Sequence, residues 1–163
     1  MQLGFDGVAQ AANLIQGQGA RERMGTSAGL STKNVRAIVL RAAGTNCDAE
    51  GAWAMEQAGA QVERLHVNRL IEQPSRLHDA HILMLPGGFS YGDDIHSGKV
   101  LAVELRQKLA RDMERFLAAG KLVIGICNGF QVLVKAGLLP LGAAGLQTPT
   151  INLPTTLTWN QQG

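Results

Sequence analysis

Four segments that are typical of strands alternate with segments of helical spacing along this 163-residue chain, and the first and last of them are short apolar runs. The segments predict strands over residues 35–40, 62–67, 81–85 and 122–126. A helix between two strands makes them parallel and covers one face of the sheet. The order therefore predicts an α/β fold with three αβα layers and a mostly parallel sheet. The last run is apolar throughout, which predicts a central strand buried on both faces.

Three helices are predicted from the segments that follow these strands. The first is expected to have Asn46 as its N-cap and to end near Ala58. The longest is expected over about 99–119, with Arg106 among its solvent-facing residues. The third follows residue 127 and ends at Gly137. One further strand is predicted over 155–159.

The two ends of the chain differ from its middle. Residues 1–34 are rich in Ala, Gln and Gly, and we expect a flexible N-terminal extension there. Residues 35–163 then make up the domain. The segment 141–163 contains Pro149 and Pro154 and a single predicted strand, so we expect the domain to be incomplete at its C-terminus.

The composition allows a packed core and excludes several classes of function. Hydrophobic residues make up 45% of the chain and charged residues 17%, which is typical of a globular domain. A formal net charge of +2, without a run of Lys or Arg, argues against nucleic-acid binding. No apolar stretch reaches about 18 residues and no secretory signal is present, so a soluble, cytoplasmic protein is expected.

Two cysteines, Cys47 and Cys127, are the only ones in the chain, and each is expected to be a free thiol, reactive or buried. Together with four scattered histidines they give no zinc-binding spacing, and no metal site is expected. For Cys47, packing beneath the first loop is favoured over reactivity. Trp53 and Trp159 are expected to be packing residues rather than platforms for a ligand.

Cys127 lies between two glycines, Gly125 and Gly129, where the last predicted strand turns into a helix. This is the pattern of a nucleophile elbow with sulfur in place of oxygen. The nucleophile must adopt a strained backbone, and side chains two residues away on either side would collide in so tight a turn. The alternative is a buried structural cysteine beside an ordinary turn. The apolar strand before it and the amphipathic helix after it favour the nucleophile.

A second glycine-rich loop follows the third predicted strand over 87–98. Gly87 and Gly88 allow backbone amides to approach a ligand closely. Because the carboxyl ends of parallel strands meet at one edge, this loop is expected beside the elbow. An N–H there, together with that of Asn128, would form an oxyanion hole. Asp93 and Asp94 in the loop are expected to be solvated rather than to bind a metal or partner.

Three motifs in this order resemble those of class I glutamine amidotransferases. They are GTNCD at 44–48, LPGGFSYGD at 85–93 and GICNGFQ at 125–131. More narrowly, the set is similar to the glutaminase subunits of phosphoribosylformylglycinamidine synthases, and the similarity covers residues 35–163. The resemblance implies a flavodoxin-like fold that is incomplete at the C-terminus of this chain.

The resemblance also implies a reaction. Cys127 would attack the side-chain amide of glutamine to give a thioester, with the oxyanion on the N–H groups of Gly88 and Asn128. Gly87 and Gln131 would bind the glutamine. The ammonia would pass to a separate synthetase subunit, which uses ATP and Mg²⁺ to make formylglycinamidine ribonucleotide in purine biosynthesis. A small accessory subunit would complete the complex, and no cofactor is implied for this chain itself.

One part of the family pattern is missing from this sequence. The family's general base is a histidine oriented by a glutamate in a His-Pro-Glu context near the end of the domain, and no such motif occurs here. The best substitute is His96, whose loop follows the third strand, although an exposed loop histidine is the favoured interpretation. All the histidines precede the nucleophile: His66, His78, His81 and His96.

Two other functions stay open at this point. The chain is expected to act only as an interaction module if the missing base leaves it catalytically incomplete. A DJ-1/PfpI-like cysteine hydrolase has a related sheet and elbow. Its nucleophile is usually followed by histidine, however, where this chain has Asn128.

Overall fold

The computed structural model describes residues 35–158, which contain a sheet of four parallel strands. The strands are β1 (Arg36–Arg41), β2 (Gln61–His66), β3 (Ile82–Leu85) and β4 (Leu122–Gly125). Their order across the sheet is β2-β1-β3-β4, and all neighbours pair in parallel. The predicted parallel sheet is confirmed. The extension predicted over 1–34 lies outside the described residues.

Helices connect the strands and cover both faces of the sheet. Short 3₁₀ turns are also present at Ser90–Asp93 and Thr150–Asn152. Within the described range, no helix has both the length and the apolar character needed to cross a membrane. The helices are α1 (Asp48–Gln57), α2 (Val67–Glu72), α3 (Ser75–Asp79), α4 (Lys99–Lys108), α5 (Ala110–Ala118), α6 (Asn128–Ala136), α7 (Leu138–Leu141) and α8 (Ala143–Gln147).

The core is divided between the two faces because side chains alternate along each strand. Leu83 and Leu85 join a large buried cluster with residues of α2 to α8, such as Phe116. Met84 points to the opposite face, where it packs with Val39 and with Ala52 of α1. The predicted αβα layering is therefore confirmed, with α1 on one face and the other helices on the second.

The single helix predicted over 99–119 is instead two helices, α4 and α5, that meet at Leu109. The backbone of Leu109 has φ −124° and ψ 5°, outside the helical range, and its side chain is fully buried. The predicted apolar face is right, since Leu101, Leu105 and Phe116 are all buried. No glycine or proline lies at the break, so the residue pattern carried no signal for it.

β4 is an edge strand in the described sheet rather than the predicted central strand. It pairs with β3 alone among residues 35–158. Leu122, the first residue of β4, and Ile126, which follows the strand, are 60% and 50% exposed. The apolar run correctly predicts a strand, but no other strand among the described residues pairs with its second edge.

Two details at α1 also differ from the prediction. The helix begins at Asp48 with Cys47 as its N-cap, one residue later than expected from Asn46, and no side chain caps it. Asp48 is buried and pairs with Arg41, so an ion pair fixes this end of the helix instead. Trp53 lies on the outer face of α1 with 63% of its surface exposed, and it is not a core residue.

The C-terminal part of the described chain is tied to α4 by Arg106, which was predicted to face solvent. Its guanidinium donates hydrogen bonds to the carbonyl oxygens of Ala136, Gly145 and Thr148. A cation is well placed against carbonyl groups that end helices. The strand predicted over 155–159 is absent from 155–158, which have no regular structure, and residue 159 lies outside the described range.

Candidate active site

Cys127 lies at the junction between β4 and α6, with a backbone that few residues adopt. Its φ is 50° and its ψ is −112°, and the residue is exposed as a free thiol. A positive φ is costly for any residue with a Cβ and persists only where the surroundings impose it. The predicted sharp strand-to-helix turn is therefore present.

The turn is so tight that positions 125 and 129 have no room for a side chain. A Cβ added to Gly125 would lie 2.8 Å from the Gly129 carbonyl oxygen and 2.6 Å from Leu133 Cδ1. A Cβ added to Gly129 would lie 1.9 Å from the carbonyl oxygen of Leu85, at the end of β3. The steric argument made from the sequence holds at both positions.

Gly87 and Gly88 bring a second backbone segment to the elbow. A Cβ added to Gly87 would lie 3.5 Å from the Cys127 Cβ, so the end of β3 directly borders the nucleophile. Gly88 has φ 143°, and its N–H donates no hydrogen bond to any other described residue. The N–H of Asn128 at the start of α6 is equally without an acceptor within residues 35–158. Two free donors are thus available at the elbow.

The Asn128 side chain joins the loop to α6, a role that the sequence did not indicate. It is only 3% exposed, and its Oδ1 accepts hydrogen bonds from the Ser90 N–H at 3.1 Å and the Ser90 hydroxyl at 2.7 Å. Its Nδ2 donates to Asp93 Oδ1 and to Gln131 Oε1, each at 3.1 Å. One buried amide therefore fixes Ser90, Asp93 and Gln131 together.

Asp93 is internally bonded, contrary to the expectation of a solvated carboxylate. Its Oδ1 also accepts from the Gly98 N–H at 3.1 Å, so it closes the loop on itself. Asp94 is exposed as expected. Groups of three His, Cys, Asp or Glu that could hold a metal ion do not occur in the described part of the chain.

Tyr91 extends from the same loop to α4. Its hydroxyl donates to Glu104 Oε2 at 2.5 Å, and Glu104 also pairs with Lys108. Burial raises the pKa of Tyr91 to about 12, with further contributions from the hydrogen bond to Glu104 and from the Glu104 charge. The hydroxyl is therefore a neutral hydrogen-bond donor through the whole physiological range.

Gln131 lies one turn into α6 and lines a cleft of about 240 Å³ together with His96. The other residues of the cleft come from the loop, from α6 and from the irregular C-terminal segment: Ser97, Lys135, Leu157 and Thr158. Gln131 is also joined to the elbow by its backbone, since its N–H donates to the Cys127 carbonyl oxygen at 3.1 Å.

The histidines are divided between structural contacts and this cleft. His66 caps α2 by accepting from the Asn68 N–H, and the His81 ring accepts from the Arg36 N–H. His78 bonds to Asp112 at 2.8 Å. His96 is exposed and lines the cleft, and no described histidine is hydrogen-bonded to Cys127. Among the described histidines, only His96 lines the cleft that Gln131 also lines.

Cys47 is exposed beside the elbow, although it was expected to pack beneath the first loop. Its N–H donates to the Gly87 carbonyl at 3.2 Å, and its sulfur lies 3.5 Å from the point where a Gly87 Cβ would be. The missing side chain of Gly87 leaves this space open. The second cysteine therefore lies at the same edge of the sheet as the first.

Comparison with known proteins decides the family of this domain. Residues 34–163 match the family model described as a CobB/CobQ-like glutamine amidotransferase domain. The chain belongs to this family. The resemblance seen in the sequence is confirmed, and the DJ-1/PfpI-like alternative is not favoured.

The most similar relatives share one name. The phosphoribosylformylglycinamidine synthase subunit PurQ of Dehalococcoides mccartyi is 53% identical over 106 residues, which are 65% of this chain and 42% of the relative. That of Treponema denticola is 46% identical over 137 residues, which are 78% of this chain and 49% of the relative. The chain therefore spans less than half the length of these relatives.

A solved structure agrees with the fold. The structure of PurLQS from Thermotoga maritima includes a chain that matches with a TM-score of 0.55 and 38% identity. The match covers 65% of this chain and 46% of that chain. The α/β fold of the amidotransferase family is therefore established for the matched part.

Proposed function

We propose that this protein hydrolyses glutamine with Cys127 as the nucleophile. The observation that carries the proposal is the elbow itself: an exposed thiol on a strained backbone, with free N–H groups of Gly88 and Asn128 beside it. Family membership supports the choice of a side-chain amide as substrate. The arrangement suits acyl transfer, in which negative charge develops on a carbonyl oxygen.

In the proposed reaction, the Cys127 sulfur attacks the amide carbon of the glutamine side chain. The carbonyl oxygen becomes an oxyanion that accepts hydrogen bonds from the two N–H groups. The intermediate collapses with release of ammonia and leaves a thioester, which water hydrolyses to glutamate. Removal of one oxyanion donor typically lowers turnover by roughly 10²–10³-fold. We therefore expect the rate to depend strongly on both N–H groups.

Two further residues are proposed to hold the substrate. Gly87 has no side chain, so a ligand can approach the backbone next to Cys127. Gln131 presents its amide at the cleft, and the bond from Asn128 fixes its Oε1. An amide held in this way can pair with the polar ends of an amino acid.

The proton transfers need a base that the described contacts do not supply at Cys127. His96 is the candidate by position, because it shares the cleft with Gln131. Attack by a cysteine depends less on a base than attack by a serine, since a cysteine side chain is partly the strongly nucleophilic thiolate at neutral pH. We therefore expect the thioester to form faster than it turns over when this chain acts alone.

The destination of the ammonia is proposed from the named relatives. These are subunits of phosphoribosylformylglycinamidine synthase, and the solved relative belongs to a PurLQS assembly. We infer that the ammonia passes to a synthetase subunit that uses ATP and Mg²⁺ to form formylglycinamidine ribonucleotide, with a small accessory subunit. No cofactor is proposed for this chain.

The test is glutamate release from glutamine, measured with and without the synthetase subunit. Cys127→Ala should abolish release, while Cys47→Ala, which removes the neighbouring thiol, should leave it within about twofold. If both variants still release glutamate, the assignment of Cys127 as the nucleophile is wrong. Absence of release from the unchanged chain, with binding to the synthetase retained, would instead favour an interaction module.

A further inference from the structure

Cys47 and Cys127 lie at the carboxyl edge of the sheet on either side of Gly87. Cys47 follows β1, Gly87 follows β3, and Cys127 follows β4, and these three strands are neighbours in the sheet. Adjacent strands are about 4.8 Å apart. The topology therefore places the two thiols at ends of strands that are separated by only one other strand.

The space between the two cysteines is empty because the residue between them is glycine. The point where a Gly87 Cβ would lie is 3.5 Å from the Cys47 sulfur and 3.8 Å from the Cys47 Cβ. The same point is 3.5 Å from the Cys127 Cβ. The Cys47 sulfur and the Cys127 Cβ are thus no farther apart than twice 3.5 Å.

We propose that Cys47 and Cys127 form an oxidative modification site, in which a peroxide converts the two thiols into a reversible disulfide. The proposal takes Cys127 as the reactive thiol from the proposed function. Both residues are free and exposed, and a recess of about 230 Å³ opens beside Cys47 and Gly87. A small neutral oxidant such as hydrogen peroxide therefore reaches both sulfurs.

The geometry requires only a small movement. The Cβ atoms of Cys47 and Cys127 lie 3.8 and 3.5 Å from the same Gly87 point, so they are at most about 7 Å apart. A disulfide needs about 3.5–4.5 Å between the two Cβ atoms, so closing this gap takes a shift of roughly 3–4 Å at most. The shift falls on the loop before α1, where Cys47 is exposed, and it requires the Cys47 N–H to leave the Gly87 carbonyl oxygen, to which it donates at 3.2 Å. Cys127, held by the elbow, stays in place while Cys47 moves towards it.

The chemistry balances in two steps. The Cys127 sulfur attacks one oxygen of hydrogen peroxide, the O–O bond breaks, and the products are a sulfenic acid and water. The Cys47 sulfur then attacks the Cys127 sulfur, the S–O bond breaks, and a second water leaves. Two thiols lose two electrons and two protons in total, and one peroxide becomes two waters. A dithiol reductant reverses the reaction.

The disulfide would remove the nucleophile from the reaction and also protect it. A sulfenic acid without a neighbouring thiol continues to the sulfinic and sulfonic acids, which are not recovered by thiols. With Cys47 present, oxidation stops at a state that can be reduced. The pair would thus turn an irreversible loss of activity into a reversible one.

The experiment is mass spectrometry of the purified full chain after treatment with a slight excess of hydrogen peroxide. We expect the intact mass to fall by two hydrogens, most of the Cys127 peptide to be linked to the Cys47 peptide, and dithiothreitol to restore both thiols. In Cys47→Ser, Cys127 should instead gain oxygen atoms that dithiothreitol does not remove.

A second variant tests the geometry. Gly87→Ala places a methyl group at ordinary contact distance from both cysteines, and it should slow the cross-link while iodoacetamide still labels Cys127. The proposal is overturned if the unchanged chain oxidises Cys127 to sulfinic acid while Cys47 stays free, or if all cross-links join two chains. Glutamate release is measured separately on the reduced chain, so a chain that forms the cross-link but releases no glutamate when reduced would contradict only the proposed function.

Discussion

Backbone strain in this domain is concentrated around the elbow. The described residues other than glycine that hold a positive φ are Tyr91, Asp93 and Cys127. Each costs roughly 1–2 kcal/mol relative to an ordinary conformation. Asn128 bonds directly to Asp93 and follows Cys127, so it links two of the three. The strain is held in the same small region that presents the thiol.

Gly129→Ala is expected to destabilise the fold severely. The new methyl group would overlap the Leu85 carbonyl oxygen, which would then lie 1.9 Å from it, and a backbone group cannot move away without breaking the sheet. Overpacking of this kind costs about 3 kcal/mol or more. Urea unfolding of the variant would measure the change in the free energy of unfolding.

Gly87→Ala is the matched control for this prediction. The same change there creates only ordinary contacts at 3.5 Å, and it should alter the free energy of unfolding by less than about 1 kcal/mol. Equal effects at the two positions would contradict the steric explanation of Gly129.

Tyr91→Phe should change how stability depends on alkaline pH. Because folding raises the pKa of Tyr91 from 10.0 to about 12, the folded state holds this proton more tightly than the unfolded state. The resulting stability is fully present below pH 10 and is lost as the pH rises towards 12. Unfolding curves measured across this range should show a smaller decline in Tyr91→Phe than in the unchanged protein.

The rest of the sequence is the same in both proteins, so the difference between the two curves reports on the Tyr91 hydroxyl. At neutral pH the variant should lose about 1 kcal/mol for the missing bond to Glu104. Parallel curves above pH 10 would show that the Tyr91 proton does not contribute.

The sequence was sufficient to predict some residues of the site because their role lies in local geometry. The glycines around Cys127 mark a tight turn by their spacing alone, and the steric reason applies within five consecutive residues. Asn128 was predicted only for its N–H. Its side chain bonds to Ser90, which is 38 positions away, and that contact depends on the packing of β3 beside β4.

At the scale of elements, the loop after β3 and helix α6 act as one unit because Asn128 holds them together. Asn128→Ala should release Ser90 and Asp93 and displace the Gly88 N–H. We expect about 3 kcal/mol less stability and a rate of Cys127 acylation by glutamine lower by about 10²-fold. Rapid-quench measurement of the thioester would give that rate.

Asn128→Asp is the informative comparison. It keeps the oxygen that accepts from Ser90, but it replaces the amide nitrogen that donates to Asp93 with a second oxygen. Its acylation rate should lie between those of the unchanged protein and Asn128→Ala. An Asn128→Ala protein that is less stable but acylates at the normal rate would show that the side chain only supports the fold.

Four of the five predicted strands are present within residues 35–158, whereas the single helix predicted over 99–119 is two helices. The apolar residues of β1, β3 and β4 mark these strands by composition, but the break at Leu109 has no glycine or proline to mark it. The edge position of β4 was also missed, since an apolar run shows that a strand is buried but not how many neighbours it has.

At the scale of the whole molecule, Arg106 connects α4 to the segment after α6. Arg106→Met should leave three carbonyl oxygens without their donor and cost about 3 kcal/mol. Hydrogen exchange should rise in Ala143–Gln147 and in the residues after it. Because Leu157 and Thr158 line the cleft, the affinity for glutamine should fall as well.

Lys108→Met provides the control two residues along the same helix. Lys108 pairs with Glu104 at 3.0 Å, the Lys108 side chain is half exposed, and Glu104 keeps its bond from Tyr91, so loss of this i,i+4 pair should cost about 0.5 kcal/mol. Similar exchange in both variants would show that Arg106 is not the anchor of this segment.

The one-sided pairing of β4 has a consequence for how the sheet can extend. Within residues 35–158, the backbone of β4 offers hydrogen bonds only on the side away from β3. Any additional strand would run about 4.8 Å from β4, and its end would border Cys127. The Cys127 sulfur would then lie in a groove bordered on one side by Gly87 and Gly88 and on the other side by the added strand. The position of that strand would therefore set the width of the groove through which an amide reaches the sulfur.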